Sequence, residues 1–507
     1  MTTATVCKPY EGDILAQHSA NGRVQLLKDE CNDSLADYRI GVKGEYQPVT
    51  DIFLDDAPEA VPVLILDKES LQDWLEDAGP VARNWADTNS FDAEPGSILV
   101  LPEADGRAAR VLAGAERPGD MWACGGLPRR LRSGTFHIEN ALTPGEATRA
   151  ATAWGLGCYA FDAYSGSGDG KHASLVWPEN TDRNTALAAV EAQSLVRDLI
   201  NTPANDMGPE RLEAAIREVA NRHGATISST IGNDLLAENY PTVHAVGRAA
   251  AAAPRLIDLV WGDESQPKLT LVGKGVCFDS GGLDLKPPAG MQLMKKDMGG
   301  AANMLGLAHM VMSAALPVRL RLLVPAVENS ISGNAMRPMD VIRTRKGLTV
   351  EIGNTDAEGR LILCDVLAEA SSESPDLILD GATLTGAART ALGADLPALF
   401  CNDDAVASAL LDACEAEQDP VWRMPLYRPY RKLLSSDVAD MNNVSDGPFA
   451  GAITAALFLE RFVEPGISWA HVDMMAWNRE ARPGRPRGGE AQFIRGAMAM
   501  LRRRYTV

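Results

Sequence analysis

Short apolar runs alternate with segments of helical period along most of this chain. Residues 61–66 and 97–101 are compact apolar runs of strand length, and the first is followed by the helix-like KESLQDWLEDAG. This pattern predicts a small α/β domain over residues 1–180. From Thr181, the segment TDRNTALAAVEAQSLVRDLINTPAND carries Leu187, Val190, Leu195, Val196 and Leu199 at helical spacing, then stops at Asn201-Thr202-Pro203. Proline cannot continue a helix, so residues 181–202 are predicted as a connecting helix.

Beyond it, apolar runs at 256–261, 269–272, 318–324, 348–352 and 377–379 alternate with helix-period segments, including 301–315 and 361–370. Such alternation predicts a larger C-terminal α/β domain over 203–507, mainly doubly wound, with a mostly parallel but mixed central sheet. No internal repeat is present, and the alanines at 250–253 form the one small low-complexity patch.

Composition fits this picture. The 507 residues are 46% hydrophobic and 23% charged, a globular balance long enough for about two or three domains. Lys and Arg total 48 against 68 Asp and Glu, and the net charge of −20 repels phosphate backbones and anionic membranes. Nucleic acid and membrane are therefore not expected partners. The opening MTTATVCKPYEGD lacks a basic flank followed by an apolar run, so a cytoplasmic location is expected. The cysteines Cys7, Cys31, Cys124, Cys158, Cys277, Cys364, Cys401 and Cys414 are scattered without CxxC pairs, as reduced thiols would be. With 7 histidines and no HExxH, any metal would be held largely by carboxylates.

Two segments carry the candidate chemistry. GKGVCFDSGGLDLKPPAGMQLMKKDMGGAAN follows the run at 269–272 and holds Lys274, Asp279, Lys286 and Asp297 among glycines that let backbone approach a ligand. It lacks GxxxxGK[ST], which disfavours nucleotide binding. EIGNTDAEGRLILCDVLAEA places Asp356, Glu358 and Arg360 between a strand and a helix. Thr355 and Glu358 have the T-x-x-E spacing of a capping box, so the pair is also expected to start the helix. A cap needs neither Asp356 nor Arg360. Asp279, Asp297, Asp356 and Glu358 in one cleft would raise one another's pKa, and two divalent cations would balance their charge. Oxygen-rich sites suit zinc, manganese or magnesium.

These stretches resemble the leucyl aminopeptidase family, also called cytosol aminopeptidases. NTDAEGRL (354–361) matches the family's signature octapeptide, and VRDLINTPAND (196–206), ENSISGNAMRPMDV (328–341) and GATLTGA (381–387) extend the similarity from about Thr181 onward. The resemblance implies removal of the N-terminal residue from peptides, with a preference for apolar first residues such as leucine. It implies two divalent ions per subunit, zinc or manganese, with magnesium or cobalt as alternatives. Lys274, Asp279, Asp297 and Glu358 would hold the tighter ion, and Asp279, Asp356 and Glu358 the more exchangeable one. Lys274 must lose a proton to ligate, from a reference pKa of about 10.4, and a neighbouring dication would supply that shift. Lys286 would donate to the developing oxyanion, and Arg360 would bind a bicarbonate that relays a proton. Met294, Thr383 and Gly386 would line the pocket for the first side chain, and the subunits would form a homohexamer.

One stretch departs from the family pattern. SWAHVDMMAWNREARPGRPRGGE (468–490) has Met474, Met475, Ala476 and Trp477 where many members have small residues, so the pocket is expected to be reshaped. His471 reads as a hydrogen-bonded structural residue and the basic ARPGRPRGG run as a loop. Three rival functions remain for such a sequence: a DNA-binding or architectural role, a catalytically silent paralogue, and a two-metal phosphoesterase. Acidity disfavours the first and the intact site residues the second. The placement of Lys274 and Lys286 favours a peptidase over the third.

Overall fold

The computed structural model describes residues 52–117, 119–165 and 172–506; Cys7, Cys31 and the opening MTTATVCKPYEGD lie outside them. The N-terminal sheet contains β1 (Phe53–Leu54), β2 (Val61–Leu66), β3 (Ile98–Pro102), β4 (Ala108–Gly114), β5 (Thr135–Ile138) and β6 (Ser174–Val176). Their spatial order is β1-β6-β5-β2-β4-β3, parallel except for the β3–β4 pair. The predicted run at 97–101 is thus the antiparallel edge strand β3. The KESLQDWLEDAG segment forms the helix Lys68–Asp77, capped by Asp67.

The predicted connecting helix spans Arg183–Asn201, and its N-cap Asp182 accepts a 3.0 Å hydrogen bond from the Thr185 amide. It lies between the helices Pro144–Cys158 and Gly299–Ser313, and glycines permit both approaches. A Cβ at Gly155 or at Gly306 would sit 2.7 Å from a methyl of Val190 or Val196 respectively. Arg197, fully buried on this helix, pairs with Glu490 at 3.1 Å and donates to the Gly484 carbonyl at 2.8 Å, tying the helix to the C-terminal segment.

The C-terminal domain is built on β7 (Thr226–Ile231), β8 (Arg255–Trp261), β9 (Lys268–Gly273), β10 (Gly275–Asp279) and β11 (Arg319–Asn329), followed by β12 (Val341–Arg343), β13 (Thr349–Glu351), β14 (Leu377–Ala382), β15 (Ala398–Cys401), β16 (Trp422–Arg423), β17 (Met441–Asn442) and β18 (Trp469–Asp473). The large sheet runs β16-β15-β18-β14-β9-β11-β8-β7, with β10 pairing β11. Strands β9, β10, β11, β14 and β18 are mutually parallel; β7/β8, β8/β11 and β15/β18 are antiparallel. Helices cover both faces, as the alternation along each strand requires. Leu377 and Leu379 pack with the helix Gly299–Ser313, while Ile378 between them packs with the helix Glu358–Ser372.

The run at 348–352 corrects the predicted assignment. It does not join the large sheet: β13 sits in a separate three-stranded sheet, β12-β13-β17. No helix among the described residues is long and apolar enough to cross a membrane. The six described cysteines are free thiols.

Candidate metal centre and active site

The candidate residues meet where the parallel strands end. Asp279 closes β10 beside Asn329 at the end of β11, and Ala382 at the end of β14 is in register with Asp473 at the end of β18. Lys274 follows β9 directly. Asp297 arrives on the 3₁₀ helix Met294–Met298, whose continuation Gly299–Ser313 is pressed onto β14: a Cβ at Gly300 would lie 2.1 Å from the Gly381 carbonyl oxygen. Ligands of open α/β sheets bind at this C-terminal edge.

Lys274 Nζ donates to Asp297 Oδ2 at 2.6 Å and to the Thr383 carbonyl at 3.1 Å, and lies 2.9 Å from Glu358 Oε1. Lys286 Nζ lies 2.7 Å from Asp279 Oδ2 and also contacts Asp356 Oδ1. Asp279, Asp356 and Glu358 each turn an oxygen into a space where these atoms lie within 4.8 Å of one another. Lys274, Asp279, Asp297 and Glu358 are buried. All five predicted ligands and Lys286 therefore form one cluster.

Burial pushes the Glu358 carboxyl up to about 8, reinforced by repulsion from Asp279, and similarly raises Asp356 to about 6. Burial disfavours the Lys274 and Lys286 ammonium groups, yet the surrounding carboxylates outweigh it and hold both amines above their ordinary range. Glu358 Oε2 is buried with no hydrogen-bond partner among the described residues. A buried carboxylate clustered with others and keeping one oxygen unsatisfied is the environment a divalent cation satisfies, so these donors fit such an ion.

Arg360 is also buried, and burial lowers its guanidinium to about 10. Its Nη1 donates to the Asn443 carbonyl at 2.6 Å, while Nε has no partner among the described residues. The capping-box expectation is overturned. Ala357 occupies the N-cap of the helix Glu358–Ser372, and no side chain caps it. Thr355 Oγ1 instead donates to the Gly281 carbonyl at 2.6 Å and accepts from the Asp284 amide at 2.8 Å, clamping the two candidate segments together.

Of the expected pocket residues, Met294 and Thr383 are buried, and Thr383 Oγ1 donates to Asp297 Oδ1 at 2.8 Å. Gly386 is exposed, opening the helix Gly386–Leu392. Asp473 shapes this loop by accepting from the Leu384 and Thr385 amides at 2.9 and 3.1 Å and from Thr385 Oγ1 at 2.6 Å. In the departing stretch, Met474 belongs to the core. Ala476 packs so tightly that a Cβ on Gly299 would approach its own to 2.5 Å. The Trp477 ring lies 5.6 Å beneath Lys295 Nζ. His471 is fully buried and bonded to Asp380, as expected of a structural residue.

Sequence reasoning missed Asn329, which donates to Asp279 Oδ1 at 2.8 Å and to the Thr355 carbonyl at 3.1 Å. Its signal was a polar residue at the end of a long apolar run. A cavity of about 580 Å³ in the N-terminal domain, lined by Trp74, Val81, Trp85 and Leu101, lacks convergent carboxylates; its charged residues are Asp77 and Arg110, the latter paired with Glu139.

The chain is similar to known proteins along both of its domains. Peptidase B of Cronobacter sakazakii is 48% identical over 295 residues, 56% of this chain and 69% of that protein. A probable cytosol aminopeptidase of Streptomyces avermitilis is 38% identical over 426 residues, 80% of this chain and 78% of its own. Among solved structures, a cytosol aminopeptidase from Coxiella burnetii superposes with a TM-score of 0.86 at 48% identity, covering 90% of this chain and 100% of that one. The bottromycin maturation enzyme BotP in complex with Mn gives 0.79 at 35% identity, covering 88% and 99%. Residues 61–178 match the M17 aminopeptidase N-terminal domain and residues 194–497 the catalytic domain of the cytosol aminopeptidase family, and the chain belongs to that family of aminopeptidases.

Proposed function

We propose that this aminopeptidase removes apolar N-terminal residues, leucine among them, from peptides by two-metal hydrolysis in the cytoplasm. The observation that carries the reading is the convergence of the buried Lys274, Asp279, Asp297 and Glu358 with the partly exposed Asp356, with Glu358 Oε2 left unsatisfied. Lys274, Asp279, Asp297 and Glu358 would hold one divalent ion, and Asp279, Asp356 and Glu358 a second, zinc or manganese by the donor set and with magnesium or cobalt as alternatives. When bound, such ions supply Lewis acidity to a carbonyl and lower the pKa of water. That the related BotP is a manganese complex supports the assignment.

The protein's own groups complete the chemistry. Lys286, less enclosed than Lys274, donates to the carbonyl oxygen as negative charge develops there. Arg360 is anchored at Asn443 through Nη1 and has Nε to offer a bicarbonate, the base then being that anion rather than a side chain. Met294, Thr383 and Gly386 line the recess for the first side chain. We assign residues 1–180, 181–202 and 203–507 to the N-terminal domain, connecting helix and catalytic domain, and expect a homohexamer.

Purified protein loaded with manganese or zinc should hydrolyse aminoacyl amides and dipeptides, leave N-terminally blocked peptides intact, and lose activity to a chelator. Cleavage of blocked peptides, or an inert metal-loaded protein, would refute the reading.

A further inference from the structure

Lys296 is one of the largest fully buried side chains of the molecule, 1% exposed, and its Nζ has no hydrogen-bond partner among the described residues. It immediately precedes Asp297 on the 3₁₀ helix Met294–Met298. An amine so enclosed, without a partner, disfavours the folded state, whereas a thioether or alkyl chain would fill the same space at no such cost. Its contribution must therefore lie in its effect on a neighbour.

Asp297 is that neighbour. The Lys296 amine lies 4.0 Å from Asp297 Oδ1, too far for a hydrogen bond and close enough for a strong Coulombic interaction. The two oxygens of Asp297 have different surroundings. Oδ2 faces Lys274, 2.6 Å away, on the side of Glu358. Oδ1 accepts from Thr383 Oγ1 at 2.8 Å and has Lys296 behind it. The other charged groups near the amine are Arg389, Lys274 and Asp473, and Asp473 is already occupied by Leu384 and Thr385.

We infer that Lys296 is a positioning residue for the metal centre: it draws electron density from Asp297 through Oδ1, so that this carboxylate donates less and the ion it holds is bound more loosely and stays more electrophilic. The inference rests on the proposed role of Asp297 as a ligand. Groups behind a ligand commonly set its basicity, and here the group is a cation where a hydroxyl alone would orient the carboxylate.

The direction of the effect separates this role from simple packing. Lys296→Met retains the length of the stem and removes the charge. Damage to the fold would loosen a bound ion, whereas loss of the cation should tighten it. Mn²⁺ affinity is measured at pH 7 by competition with a chelating dye, with circular dichroism and the metal-free unfolding midpoint recorded alongside. The variant is expected to bind Mn²⁺ about three- to tenfold more tightly, with a reduced kcat on leucinamide. Lys296→Gln, which keeps a polar group, should shift affinity in the same direction and tests the charge independently of an apolar replacement. Equal or weaker binding by both variants overturns the inference alone. Wild-type protein that takes up no Mn²⁺ overturns the metallopeptidase reading together with it.

Discussion

Gly359 and Lys274 are fitted against each other: a Cβ on Gly359 would lie 2.5 Å from Lys274 Cε and 2.8 Å from Nζ. The glycine of the signature octapeptide thus gives the lysine stem room to cross the start of the helix Glu358–Ser372 and reach Asp297 and Glu358. Backbone freedom is not the reason, since this glycine lies within the helix.

Gly359→Ala should therefore damage the site more than the fold. Alanine is favoured over glycine in a helix interior by about 1 kcal/mol, which offsets part of the steric cost. Lys274 is held by Asp297, Glu358 and the Thr383 carbonyl, so it cannot yield without losing contacts. We expect a loss of metal affinity of about tenfold or more with helical content retained. Metal titration and circular dichroism check this, and wild-type affinity would sink the steric account.

Lys286 and Asp297 should separate when replaced. Asp297→Ala removes a buried carboxylate that Lys274 and Thr383 both engage and should abolish tight metal uptake. Lys286→Ala should retain the metal and lower kcat by about 10²- to 10³-fold, the range for a lost oxyanion donor. Elemental analysis of both proteins decides; equal metal loss would remove the distinction between ligand and donor.

What the sequence revealed follows from which signals are local. The helices Arg183–Asn201 and Glu358–Ser372 were legible because long periodic segments identify themselves. The strand Trp469–Asp473 was not, because His471 and Asp473 interrupt its apolar pattern. Both are buried through partners elsewhere, His471 on Asp380 and Asp473 on the 384–385 loop. A short run such as 348–352 states its strand character but not which sheet it joins. Thr355 has the spacing of a cap, yet Gly281 and Asp284, distant in sequence, claim its hydroxyl. The proposed ligands stand in a matched motif, whereas the contacts of Asn329 with Asp279 and of Lys296 with Asp297 follow no motif.

The connecting helix should depend on one buried ion pair. Arg197 and Glu490 have side chains 0% and 5% exposed, and Glu490 also accepts from Asn478. Removing one partner leaves a buried charge unmatched, so Arg197→Ala and Glu490→Ala should each destabilise the protein by about 3–5 kcal/mol. The double variant should cost less than the sum of the two. Denaturant unfolding measures all three, and full additivity would show that the pair is not coupled.

Metal uptake and metal-free stability should respond to pH in opposite directions. Burial, with repulsion from Asp279, lifts Glu358 to about 8 and Asp356 to about 6 in the folded chain, above the ordinary values of about 4.3 and 3.9. A group whose folded pKa is raised stabilises the fold fully below its unfolded pKa, and that contribution is lost as pH rises through the folded value. The metal-free protein should therefore lose stability from Asp356 as pH rises toward about 6, and from Glu358 toward about 8. A cation requires these carboxylates and the Lys274 amine deprotonated, so apparent metal affinity should rise over the same window, with proton release, and keep rising above about 8 because Lys274 still has a proton to lose. Glu358→Gln has no carboxyl to titrate, so its metal-free stability should fall less steeply between about pH 5 and 8. Thermal unfolding in chelator across that range, with metal titrations in buffers of differing ionisation enthalpy, tests both slopes. An affinity independent of pH between about 6 and 8 would mean that neither Glu358 nor Lys274 gives up a proton to the metal, against the proposed ligand set.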